Sequence, residues 1–171
     1  RPDLTPYLIH LTKHSERQSA FDNLLDILRD GKVRASGKSG FIKGSEKATC
    51  FLDIPFVSLK YLLNDANARG EKPRYEPFGV VVMKTTAYEH GFRPVLYLSE
   101  RDQSDLEIPH QELWRVVRLE LSKNQCVSWL HEREWRCRGD FRLPSKFIAV
   151  LVENPKFAQR LQKMLATDPL E

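Results

Sequence analysis

Tyr7-Leu8-Ile9-His10-Leu11-Thr12-Lys13 reads as a short strand, and the residues immediately after it decide the fold. Ser15-Glu16-Arg17-Gln18 has capping-box spacing, in which a Ser hydroxyl and a Gln side chain satisfy free amides at a helix start. Phe21, Leu24, Leu25 and Leu28 then recur at helical spacing, and Gly31 is placed to end the helix. A basic Gly/Ser loop leads to a second strand at residues 48–52. Asp53 and Pro55 suit the start of a helix carrying Phe56, Leu59, Leu62 and Leu63. Beyond a polar stretch with two prolines (residues 64–77), which predicts a flexible connection, the valine run of residues 78–83 predicts a buried strand.

The remainder mixes the two element types. Residues 85–91 predict a helical turn, 94–98 a strand, and the acidic stretch 99–109 a loop. Leu113, Val116, Val117 and Leu121 give residues 110–121 helical spacing. A turn and a strand are expected over 127–137, a strong strand over 147–152, and a final helix from Asn154 through Phe157, Leu161 and Leu165. No βαβ rhythm, repeat or boundary appears, so the expectation is one α+β domain over residues 1–171.

With 171 residues, 41% hydrophobic and 29% charged, the chain can bury a core and is expected to be soluble. No apolar run approaches a membrane span, so no membrane partner is expected. No signal-peptide pattern is present, although the sequence begins at Arg1 rather than Met. Three cysteines with no CxxC pair predict reduced thiols and a cytoplasmic setting. The net charge of +4 is uneven. Lys32, Arg34, Lys38, Lys43 and Lys47 face only Glu46 within residues 31–47, and Arg133, Arg136, Arg138, Arg142 and Lys146 crowd residues 133–146. Such patches suit a phosphate-bearing partner or a plain solvated surface.

Trp129-Leu130-His131-Glu132-Arg133-Glu134-Trp135-Arg136 carries the strongest chemical signal. In an extended segment Glu132 and Glu134 share one face, and Arg133 and Trp135 the other. Like charges on one face do not help folding without a partner or substrate between them. The alternative is an ordinary ion-paired surface using Arg136, Arg138 or Arg142. On the first strand, alternation puts His10 and Thr12 on one face, toward a cleft or solvent, and Ile9 and Leu11 on the other, toward a core. A neutral imidazole and a hydroxyl on a rigid strand can bind ribose hydroxyls, or they can be satisfied structural groups. No GxGxxG, Walker loop, GxSxG, HExxH or PCxxC is present, and no metal site is expected.

Several segments together resemble a known family. His10-Leu11-Thr12, followed by Asn23-Leu24-Leu25-Asp26-Ile27-Leu28 and a Gly, resembles the opening of DarT-type DNA-modifying ADP-ribosyltransferases. Cys50-Phe51-Leu52-Asp53-Ile54-Pro55, Phe78-Gly79-Val80-Val81-Val82, Arg93-Pro94-Val95-Leu96-Tyr97 and Glu132-Arg133-Glu134-Trp135-Arg136 are similar, in order, to segments of the abortive-infection AbiGi family. The resemblance spans Tyr7 to about Arg138. It implies an ADP-ribosyltransferase-like fold, with two packed β-sheets forming an NAD cleft and with flanking helices. It implies an NAD-dependent mono-ADP-ribosyltransferase in bacterial phage defence or a toxin–antitoxin system. Glu134 would be the catalytic carboxylate and Glu132 its acceptor-side helper. His10 and Thr12 would contact ribose, Tyr97 would stack on nicotinamide, and Arg34 or a neighbour in the basic loop would hold the pyrophosphate. NAD would be the substrate, a nucleic acid or protein the acceptor, and a cognate toxin or antitoxin a partner. The Ser-Thr-Ser run of the best-known enzymes of this type is absent.

Two other functions compete with this reading. The same fold serves equally as a non-catalytic antitoxin or ligand-sensing module. A metal-dependent nuclease using Glu132, Glu134 and Asp140 around Mg²⁺ ranks last, since no PD-ExK spacing supports it.

Overall fold

A computed structural model describes residues 4–38, 41–63, 74–145 and 149–167. The chain is α+β, with a mostly antiparallel sheet system and a few helices. Twelve strands are described, together with five α-helices. In chain order they are β1 (Tyr7–Leu11), α1 (Ala20–Asp30), β2 (Lys32–Val33), β3 (Ala48–Leu52), α2 (Leu59–Leu62), β4 (Gly79–Met83), α3 (Lys84–Glu89), β5 (Arg93–Pro94), β6 (Leu96–Leu98), α4 (Glu100–Asp105), β7 (Val116–Arg118), β8 (Glu120–Ser122), β9 (Gln125–Val127), β10 (Glu134–Arg138), β11 (Phe141–Arg142), β12 (Ala149–Leu151) and α5 (Pro155–Ala166). Rather than two large packed sheets, the strands form one six-stranded sheet, β12-β4-β1-β3-β10-β5, and three two-stranded ones.

The six-stranded sheet is covered on both faces at its centre, which explains the unbroken apolar runs. Leu8, Phe51, Val80 and Val82 pack on one face against Phe21, Leu24 and Leu28 of α1 and Leu161 of α5. Ile9, Leu52 and Val81 pack on the other against Leu59 and Leu62 of α2 and against Tyr75. Phe51, Phe92 and Phe141 interlock edge to face, with ring centroids 4.9–5.6 Å apart.

Several expected elements are displaced. Helix α1 starts at Ala20, capped by the Ser19 hydroxyl accepting from the Asp22 amide, and ends at left-handed Gly31. Ser15 instead closes a turn with Gln18, and the Gln18 amide donates to Asp26. The acidic stretch after residue 98 is helix α4, because Ser99 and Asp102 form a complete capping box. Residues 110–121 are not one α-helix. A 3₁₀ segment (His110–Arg115) gives way to β7 and β8, since β-branched Val116 and Val117 are buried in parallel pairing with β6. The run 93–98 breaks at Val95 into β5, an edge strand that tolerates Pro94, and β6. Of the expected connection 64–77, residues 64–73 lie outside the described residues, as do residues 147–148 of the expected last strand. No described helix is long and apolar enough to cross a membrane.

Candidate functional site

Strand β1 runs five registered pairs along β4 but pairs with β3 only at Ile9 and Leu52. One step further, where Leu11 and Cys50 would pair in a continued ladder, the Cys50 carbonyl accepts from Nδ1–H of His10 at 2.9 Å. A cavity of about 980 Å³ lies here, bordered by both strands, β7, β10 and the loops around Tyr75 and Trp129. That is at the upper end of ordinary small-molecule sites. Its wall carries eight Lys and Arg against four Asp and Glu, so it favours an anionic ligand.

Glu132 and Glu134 both border this cavity, but not by strand alternation. Glu132 closes a 3₁₀ turn (Leu130–Glu132), and β10 begins only at Glu134. Between them Arg133 is left-handed, at φ 46°, a conformation a non-glycine residue adopts at a cost. The kink turns Arg133 away to Asp53, which lies 3.6 Å from its guanidinium and whose amide donates to the Arg133 carbonyl. Arg133→Val is therefore expected to be less stable than Arg133→Gly by roughly 1–2 kcal/mol, since both lose the guanidinium but only Val resists this φ. Thermal denaturation of the two variants measures the difference.

Both carboxylates are nearly buried, at 3% and 8% exposure. Glu134 is held in a fork by Arg136, with Nε to Oε1 at 2.8 Å and Nη2 to Oε2 at 3.1 Å, while Nη1 donates to the Trp114 carbonyl. This is one of the ion pairs expected from sequence. Arg138 pairs with Glu112 and Glu46 instead. Glu132 Oε1 accepts from Arg74 Nε at 2.9 Å and Nη2 at 2.8 Å, and from the Tyr75 hydroxyl. Burial, and then the Glu132 charge, push the Tyr75 phenol well up, so it stays protonated and donates. Arg74 also lies over the Trp129 ring, 4.0 Å from its centroid.

The other predicted residues fare unequally. Alternation puts His10 on the sheet face opposite Glu134, with Leu8 and Phe51, yet the parting of β1 and β3 lets it border the same cavity. Burial lowers its pKa, so the imidazole is neutral. Because a carbonyl only accepts, Nδ1 carries the proton and Nε2 is left as an acceptor. Thr12 borders the cavity, but its hydroxyl is engaged by the Ala20 and Phe78 carbonyls, and both faces of β1 are buried. Tyr97 is outside the wall. Its hydroxyl accepts from the Glu134 amide at 2.9 Å, and burial pushes its pKa up to about 12, so it positions the Glu134 main chain rather than offering a stacking face. Arg34 sits in the wall with its guanidinium 2.6 Å from Asp30. Asp140 is outside it, accepting from the Ala35 amide and from Lys32, and the described residues hold no carboxylate cluster able to bind a metal.

Sequence reasoning missed Arg74, Tyr75, Trp129 and Arg118 as cavity residues. An arginine beside an aromatic in an otherwise polar connection is the one signal for the first two. Trp129 was visible only as a flank of the glutamates. No family model, curated protein or solved structure matches the chain.

Proposed function

We propose that the chain is an NAD-dependent mono-ADP-ribosyltransferase of ADP-ribosyltransferase-like fold, acting in bacterial phage defence or a toxin–antitoxin system. The observation that carries this reading is the opening of Glu132, Glu134 and His10 into one dinucleotide-sized, positively charged cavity. Breaking the bond between ribose C1′ and nicotinamide releases neutral nicotinamide with the bonding electron pair and leaves positive charge on the ribose. A preorganised carboxylate facing that charge is worth about 3–4 kcal/mol. Glu134 suits this work: its two oxygens have four lone pairs, Arg136 uses one on each and the neighbouring Cys50 thiol a third, which leaves one for the ligand. His10 Nε2 is placed to accept from a ribose hydroxyl. Trp129 and Tyr75 supply aromatic surface in the wall. Glu132 Oε2 has no partner among the described residues, so it suits taking the acceptor's proton as the acceptor attacks C1′.

Incubation with labelled NAD and cell lysate, followed by separation of protein from nucleic acid, tests this. Nicotinamide release and label in one fraction are expected. Glu132→Gln should reduce that label more than it reduces hydrolysis of NAD. Equal loss of both would remove the acceptor-side role.

One observation favours a second reading. Both carboxylates already hold arginines, as in a ligand-binding module with no turnover, such as an antitoxin or sensor. Saturable NAD binding with no nicotinamide release would support it.

A further inference from the structure

Most arginines of the cavity wall are engaged elsewhere. Arg136 and Arg74 hold buried glutamates, and Arg34 holds Asp30. Arg118 differs. It ends β7, beside Val116 and Val117 in the wall, and its Nη2 donates to the Gln125 side chain at 2.8 Å. Its acidic neighbour is the exposed Glu100, 3.4 Å away, a solvent-screened contact. Its Nε–H is buried without an acceptor, which no other cavity-lining arginine shows among the described residues. A buried N–H left unpaired is costly and calls for an acceptor. The guanidinium fork offers Nε and Nη2 side by side, the geometry that matches two oxygens of a phosphate.

We infer that Arg118 is the phosphate anchor of the cavity, and that the ligand class it selects is a pyrophosphate-bearing nucleotide. On binding, the fork leaves Gln125 and Glu100 and takes two phosphate oxygens. Arg34, assigned this work by sequence position, stays with Asp30. The inference rests on reading the cavity as a nucleotide site and does not depend on transfer chemistry.

Calorimetry with ADP as probe and adenosine as the phosphate-free control tests it. Wild-type protein should bind ADP more tightly than adenosine. Arg118→Gln should lose roughly tenfold to a hundredfold in ADP affinity, with adenosine unchanged and a weaker dependence on salt. Glu100→Gln removes a competing acceptor at an exposed position and should tighten ADP binding by about twofold to threefold, a gain that a folding defect cannot mimic. The anchor is overturned if wild type does not distinguish ADP from adenosine, if Arg118→Gln and Glu100→Gln leave ADP binding unchanged, or if Arg34→Gln causes the larger loss. ADP binding that follows Arg118 without nicotinamide release from NAD would sink the transferase reading and leave the anchor standing. Nicotinamide release at low NAD that is equal in wild type and Arg118→Gln would do the reverse.

Discussion

Glu134→Gln is expected to lower nicotinamide release from NAD by roughly a hundredfold or more, and to lower the free energy of unfolding by about 3 kcal/mol. The effects come from different neighbours. The catalytic loss arises because Gln keeps the shape of the side chain but cannot balance charge on the ribose. NAD affinity should change little, since that contact strengthens in the transition state. The stability loss arises because Arg136, only 4% exposed, is left as a buried cation without its counter-ion. A double variant, Glu134→Gln with Arg136→Met, separates the two. Removing both partners leaves no unpaired charge, so most of the stability should return in urea denaturation. Turnover should stay low. If turnover returns together with stability, Glu134 is a structural residue and the catalytic assignment is wrong.

The sequence displayed the frame of this molecule better than its chemistry. Strands β1, β3 and β4 and helices α1 and α5 were legible because burial on both sheet faces writes apolar runs, and helix faces write a period of 3.6. The pair Glu132 and Glu134 was legible as a site, but for a reason the structure replaces. Alternation was to align them, whereas a left-handed Arg133 does so, and positive φ at an arginine has no sequence signature. The partners of Glu132 were illegible because Arg74 and Tyr75 are 58 and 57 residues away in the chain. Tyr97 was legible as important but assigned the wrong end of its side chain: its hydroxyl, engaged by the Glu134 amide, is what matters. Val116 and Val117 fit a helical period as well as a strand, and only their pairing with β6 decides between them.

The second large effect lies in the glycine of Phe78-Gly79-Val80. Gly79 starts β4, which is flanked by β1 on one side and β12 on the other, and it pairs with Leu11 and Leu151. A Cβ at this position would meet the main-chain oxygen of His10 at 2.1 Å, with the His10 carbonyl carbon at 3.1 Å and Leu11 Cα at 3.2 Å. Those atoms are backbone, so no side-chain rotation relieves the clash. With strands on both flanks, β4 cannot withdraw from β1 without straining its pairing with β12. Gly79→Ala is therefore expected to destabilise the fold by about 3 kcal/mol, measured by urea denaturation. Gly91→Ala is the matched control. It also places alanine at a glycine, at φ 90°, but nothing lies within 4 Å of its Cβ, so only the backbone preference of about 1–2 kcal/mol is at stake. The two variants should also differ at the cavity. His10 holds the gap between β1 and β3 through its bond to the Cys50 carbonyl, and displacing its main chain moves that ring. Where enough Gly79→Ala remains folded to titrate, its NAD affinity should fall while that of Gly91→Ala stays near wild type. If Gly79→Ala binds NAD as the wild type does, the close passage of β4 serves sheet packing alone and the placement of His10 does not depend on it.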